Sequence, residues 1–162
     1  MDTLQEKPRD GSEWREVTPG ERFAVRASVR DNGGLYTIIE VTAESRNGVP
    51  MPTHANEEEH FIVLEGSVHL INGSQNLVLS AGDSTTVKRG TPHAWCNLSN
   101  SLVRMLITFS PGQMEEAFRL IGSSHGGDLA AIEELAKNGG STIIGPPPFD
   151  NIYSVMSPRP AT

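Results

Sequence analysis

Residues 82–97 read GDSTTVKRGTPHAWCN. STTV (84–87) and AWCNL (94–98) are runs of β-branched, aromatic and aliphatic residues, the composition of strands. Ala81-Gly82-Asp83 precedes the first run and Arg89-Gly90 follows it, both in residues that favour turns. The stretch therefore reads as strand, turn, strand, with His93 standing just before the second strand.

The same wording continues on both sides. Between about residues 22 and 109, LYTIIEV (35–41), FIVLEG (61–66), SVHLI (67–71), NLVLS (76–80) and LVRMLITF (102–109) are further strand candidates. Asn32-Gly33-Gly34, Asn47-Gly48 and Asn72-Gly73 separate them, and Asn-Gly pairs suit turns that need positive φ. Many short strands at roughly even spacing predict a sandwich or a barrel. The period then changes. SPGQMEEAFRLIG (110–122) has Ser110 placed as an N-cap, Pro111 at the first helical position and Gln113 three residues after the cap. Met114, Ala117, Phe118 and Ile121 share one face of that helix. A second helix is expected from Asp128 to near Gly139, with Leu129, Ile132, Leu135 and Ala136 as its apolar stripe. Both helices are expected to cover the end or side of the barrel. The organisation predicted is a polar arm over 1–13, a β-barrel over 14–110, helices over 111–145 and an extended tail over 146–162. The proline-rich GPPPFD (145–150) opens that tail.

PMPTHANEEEHFIVLEG (50–66) is the other informative stretch. His54 and His60 flank Glu57, Glu58 and Glu59, and the residues alone leave a metal site, an acid/base site and a solvated loop all open. Strand alternation puts residues 52 and 54 on one side, and sets His60 on the side away from Glu59. Glu57 and Glu58 read as a solvated acidic turn.

Together the two stretches resemble the paired motifs of the cupins, most of all the small single-domain cupins described as quercetin-dioxygenase-like. Gly82, Gly90, His93 and Asn97 fall in place in the second cupin motif, with Lys88 where that motif has proline. In the first motif, Glu59 and Gly66 are correctly spaced. A gapless alignment makes His54 the second of two histidines and puts Pro52 at the first. A gapped register would make His54 the first and Asn56 the second. The likeness extends over roughly residues 35–147, including RMLITFSPGQMEEAF and IIGPPP.

That resemblance implies an all-β fold, a cupin-type antiparallel jelly-roll barrel with a short C-terminal helical appendage. It also implies a divalent metal held by His54, Glu59 and His93, with Pro52 where a further ligand would be. Two imidazoles and one carboxylate are familiar from non-haem Fe(II) sites, and Mn, Ni, Co, Cu or Zn are equally compatible with them. The activity expected is dioxygenase-like or isomerase-like chemistry on a small phenolic or enolic ligand. The alternative is a metal-free binding or sensor barrel, to which Pro52 points. Phe61, Val63, Trp95, Met105, Ile107 and Phe109 are the expected barrel lining. A homodimer is expected, because FIVLEG and LVRMLITF carry apolar residues on both faces.

Composition narrows the remaining classes. The chain has 162 residues, enough for one domain, and 36% are hydrophobic. No run approaches the roughly 20 apolar residues of a spanning helix. MDTLQEKPRDGSEW has no apolar signal core, and Cys96 is the one cysteine, so a reducing, cytoplasmic setting is expected. Thirteen Lys and Arg against 20 Asp and Glu give a net charge of −7, which opposes a nucleic-acid partner. The sequence shows no long repeat, nucleophile elbow, Walker A loop or dinucleotide fingerprint. His69 reads as a strand residue with a local partner, His125 as a loop residue, and Cys96 as a buried thiol.

Overall fold

The computed structural model describes residues 14–49, 51–121, 134 and 136–145. Among the described residues eleven strands run in the order β1 (Arg15–Thr18), β2 (Glu21–Ala27), β3 (Thr37–Ala43), β4 (Met51–His54), β5 (Glu58–Glu65), β6 (Ser67–Asn72), β7 (Gln75–Ser80), β8 (Ser84–Val87), β9 (His93–Cys96), β10 (Val103–Ser110) and β11 (Ser141–Gly145). Helix α1 (Glu115–Ile121) follows β10. The strands form a six-stranded sheet ordered β1-β2-β3-β10-β5-β8, a three-stranded sheet β7-β6-β9 and a pair β11-β4. Every named pairing is antiparallel. A bridge between Gly48 and Cys96 links the approach to β4 with β9. The all-β jelly-roll expectation holds.

Alternation sets which residues enter the barrel. On β10, Val103, Met105, Ile107 and Phe109 are buried while Arg104 and Ser110 are exposed. On β5, Glu59, Phe61 and Val63 point inward between the outer His60, Ile62 and Leu64. Register then stacks Phe61 beside Ile107, and Ile107 beside Ile39. The core continues through Phe23, Val41, Val68, Leu70 and Trp95. Burying each of these side chains contributes about 1.5–3 kcal/mol. The turn from β5 to β6 needs Gly66: its φ is 75°, and a Cβ there would stand 2.5 Å from the Leu102 carbonyl oxygen.

Asn97 holds the loop between β9 and β10. It is fully buried, donates Nδ2–H to the carbonyls of Ala43 (3.0 Å) and Ser101 (2.7 Å), and accepts from the Ser99 amide (3.0 Å) and hydroxyl (2.7 Å). That accounts for an asparagine at this place in physical terms: few other side chains both donate and accept on so short a stem.

Three expectations are corrected. Ser110 does not cap a helix. It remains in β10, paired with Glu58, and the helix starts at Glu115, because the strand ladder satisfies this backbone first. Residues 141–145, assigned to the helical stretch, form β11 against β4, consistent with the β-branched run Thr142-Ile143-Ile144. Glu57 is not solvated; it is 2% exposed, and its Oε1 accepts the Met114 amide at 2.9 Å, tying β5 to the start of α1.

Of the predicted second helix, residues 134 and 136–138 are described and helical; Asp128, Leu129, Ile132 and Leu135 lie outside the described residues. The arm 1–13, the tail 146–162 and His125 lie outside them too. No helix among the described residues is long and apolar enough to cross a membrane.

Candidate metal centre

Three strands bring the candidate ligands together. His54 ends β4, Glu59 is the second residue of β5, and His93 opens β9. All three are buried. Each offers one ligand atom, and these atoms lie within 4.8 Å of one another. His54 Nε2 is 3.3 Å from Glu59 Oε2, and His93 Nε2 is 2.6 Å from the same oxygen. The imidazole rings of His54 and His93 are 5.1 Å apart. Phe109 packs edge-on against His54, and Phe61 edge-on against His93.

The hydrogen bonds say what this arrangement lacks. His93 donates Nδ1–H to the Thr91 carbonyl at 3.0 Å. In a neutral imidazole that places the Nε2 lone pair toward Glu59. Glu59 Oε2 is buried and takes no well-formed hydrogen bond. A neutral His93 would set two acceptors face to face, so a positive charge, either a proton on His93 or a shared cation, makes the contact favourable. Burial pushes the Glu59 carboxyl upward, but His54 and His93 outweigh it and hold the group below its usual range. Burial pulls His93 down, and the Glu59 carboxylate more than reverses this. Metal–nitrogen and metal–oxygen bonds of about 2.0–2.2 Å around one ion give ligand separations near 3 Å, so the observed spacing fits a shared cation. The carbonyl behind His93 is the kind of partner that orients metal-binding histidines.

The neighbours sort out the other sequence readings. Pro52 and His54 line the same cavity, as alternation requires, so proline occupies a wall position with no donor atom. Asn56 is exposed and donates to the Gly139 carbonyl at 3.1 Å, away from the cluster. His60 is on the outer side, its Nδ1 2.6 Å from the Thr86 hydroxyl. His69 pairs across β6 with Val78 and Cys96. Cys96 is buried, and burial raises its thiol to about 11, so it stays protonated.

The cluster sits in a cavity of about 230 Å³. Ile39, Trp95, Ile107, Phe109 and Phe118 supply apolar wall, while Met105, Phe61 and Val63 are buried in the core below. Phe118, from α1, packs 5.4 Å from both Phe109 and Phe23. A polar wall residue that the sequence reading missed is Glu21, 5% exposed at the start of β2. The signal for it was the inward alternation of Glu21, Phe23 and Val25, visible only once β2 is recognised.

Residues 39–109 match the family described as Cupin domain. The chain is similar to the quercetin 2,3-dioxygenase of Bacillus subtilis (strain 168), 24% identical over 113 residues, covering 65% of this chain and 33% of the relative. It therefore spans about a third of that relative's length. Among solved structures, the RmlC-like cupin from Shewanella frigidimarina NCIMB 400 aligns with a TM-score of 0.58 and 18% identity, over 69% of this chain and 96% of that one. The polyketide cyclase RemF from Streptomyces resistomycificus aligns with a TM-score of 0.56 and 16% identity, over 67% of this chain and 80% of that one. At these identities the structural likeness speaks for the fold.

Proposed function

We propose, from the match of residues 39–109 to the cupin family, that this chain binds a divalent metal through His54, Glu59 and His93 and acts on a small organic ligand. The observation that carries the reading is the buried Glu59 Oε2, without a well-formed hydrogen bond and facing two imidazole nitrogens. When bound, the metal supplies Lewis-acid polarisation of a ligand oxygen or a centre for oxygen activation.

The chain's own residues define what the ligand meets. Glu59 and the two histidines leave positions open toward the cavity, where Pro52 adds no donor. Phe109 and Phe118 keep the wall apolar and exclude water from the ligand-facing side. A cavity of about 150 Å³ holds benzene, so 230 Å³ accommodates one substituted ring or a chain of similar volume. A single-ring phenol or enol matches that space, and its oxygen is a group that a metal held by His54, Glu59 and His93 would polarise in dioxygenase-like or isomerase-like chemistry.

Element-resolved metal analysis tests the proposal on protein purified without chelator. Near-stoichiometric first-row metal in the wild type, lost in His93→Ala and held more tightly in Pro52→His, is the expected pattern. Wild type and His93→Ala both empty, even after incubation with each metal, would leave a metal-free binding barrel instead.

A further inference from the structure

Glu21 is a buried carboxyl with no role in the cluster of His54, Glu59 and His93, yet it faces the same cavity. Its level in the barrel differs from theirs. Glu59 pairs with Phe109, and Phe109 with Thr37 on β3. Glu21 pairs with Ala43, six residues along that strand. The same cavity wall carries the apolar Val41, Val49 and Trp95, and Ala43, the partner of Glu21 across β2 and β3, is apolar as well. Among the described residues Glu21 forms no ion pair with a cation, and Thr18, its partner across β1 and β2, stands beside it. A carboxyl of this kind is costly to bury for packing alone.

We propose that Glu21 is the second polar anchor of the cavity, donating a hydrogen bond from its protonated carboxyl to an acceptor oxygen at the end of the ligand away from His54, Glu59 and His93. This rests on the ligand-binding reading above and narrows it. The ligand class becomes an elongated phenol or enol of about one ring that carries a carbonyl or similar acceptor at its far end. Burial supports the donor role, since it lifts the Glu21 carboxyl from 4.5 to about 7, with the Thr18 hydrogen bond acting against it. The titratable groups around it are Glu44, which follows β3 and approaches Gly20, and, across the cavity, His54, Glu59 and His93.

The test uses two probes with one carbon skeleton, 4-(4-hydroxyphenyl)butan-2-one and 4-butylphenol, titrated calorimetrically into zinc-loaded protein. Zinc is redox-inert, so no turnover intrudes. Both probes share the phenol, so the ratio of their affinities removes effects of the metal ligands. In the wild type at pH 6 the ketone should gain about tenfold relative to the same ratio in Glu21→Met, the size of one good hydrogen bond. Above pH 8 that gain should vanish in the wild type but persist in Glu21→Gln, whose amide still donates. Thermal melts of each variant exclude misfolding, and Glu21→Gln carries the pH test if Glu21→Met does not fold. An affinity ratio that is the same in wild type and Glu21→Met, or a wild-type ratio insensitive to pH, overturns the anchor and leaves the ligand-binding reading standing. Failure of both probes to bind the wild type overturns both.

Discussion

His93 Nε2 and Glu59 Oε2 stand 2.6 Å apart in a buried site. With Nδ1–H of that histidine committed to the Thr91 carbonyl, the contact needs a positive charge, which under the proposed function a bound metal would provide and otherwise a proton on His93. Folding and metal binding should therefore be linked. A metal present at about 100 times its Kd contributes about 2.7 kcal/mol. For a chain of this size that is a Tm shift of about 5–10 °C. Chelation should lower the wild-type Tm by this amount. Glu59→Gln, whose amide can donate to His93 Nε2, should melt at the same temperature with and without chelator. Differential scanning calorimetry decides it: a wild type equally indifferent to chelator speaks against the metal.

Much of this site was readable in the sequence, for a physical reason. Strand alternation and turn chemistry are local, so the strands around the site were legible; His54, Glu59 and His93 were picked out by the resemblance to the two cupin motifs, and the fold brings them together. Glu57 was misread because its environment is not local. It is met by the segment leading into α1, where the Met114 amide lies 57 positions further along the chain. β11 was missed for a related reason: its β-branched run is only five residues long and lies between helical and proline-rich sequence, and it becomes a strand by pairing with β4. Glu21 went unnoticed because β2 begins with Glu-Arg, which looks solvated until its pairing with β3 fixes which side faces in.

Glu57 offers a direct check on that lesson. Its Oε1 accepts the Met114 amide at 2.9 Å, while burial raises the carboxyl, opposed by that same bond and by His54. Glu57→Ala leaves a partly buried N–H without its carboxylate and a void where the buried side chain stood, which should cost about 2–3 kcal/mol. Glu57→Gln keeps an acceptor and should cost under about 1 kcal/mol. Urea titrations of both variants separate a buried structural carboxyl from a surface one, for which neither substitution would matter.

Gly66 makes a backbone argument testable. Its φ of 75° and the Leu102 carbonyl oxygen 2.5 Å from a built Cβ act together. Gly66→Ala meets both left-handed strain and a clash with backbone that cannot swing aside. The expected loss exceeds about 2 kcal/mol. Gly33→Ala, where φ is 67° but nothing lies within 4 Å of the built Cβ, should lose only about 1 kcal/mol. Equal losses at the two positions would mean that conformational strain alone matters and the carbonyl contact does not.

Leu64 and Leu102 bear on the paired state expected from the apolar outer faces. They are 37% and 42% exposed, on β5 and immediately before β10. If two copies associate through this sheet, Leu64→Glu should shift the protein to a monomer in sedimentation velocity at micromolar concentration. A wild type that already sediments as a monomer removes the expectation.

Glu21 gives stability a pH dependence whose sign is fixed. Its carboxyl is raised to about 7 in the folded chain and returns to about 4.5 on unfolding. Between these values the native state holds a proton that the unfolded state has released. Stability therefore falls as pH rises from about 4.5 to about 7, and the full loss is present above that range. A difference of this size corresponds to about 3 kcal/mol. Glu21→Gln cannot ionise, so it should match the wild type near pH 4.5 and exceed it by about 3 kcal/mol at pH 8. Other titrating groups, including Glu59 and His93, are present in both proteins and largely cancel in the comparison. Chemical denaturation of the two proteins across pH 4.5 to 8.5 reads the difference directly. Parallel curves would show that the Glu21 carboxyl ionises as easily inside the barrel as in water, and the cavity would then hold it as a carboxylate rather than as a donor.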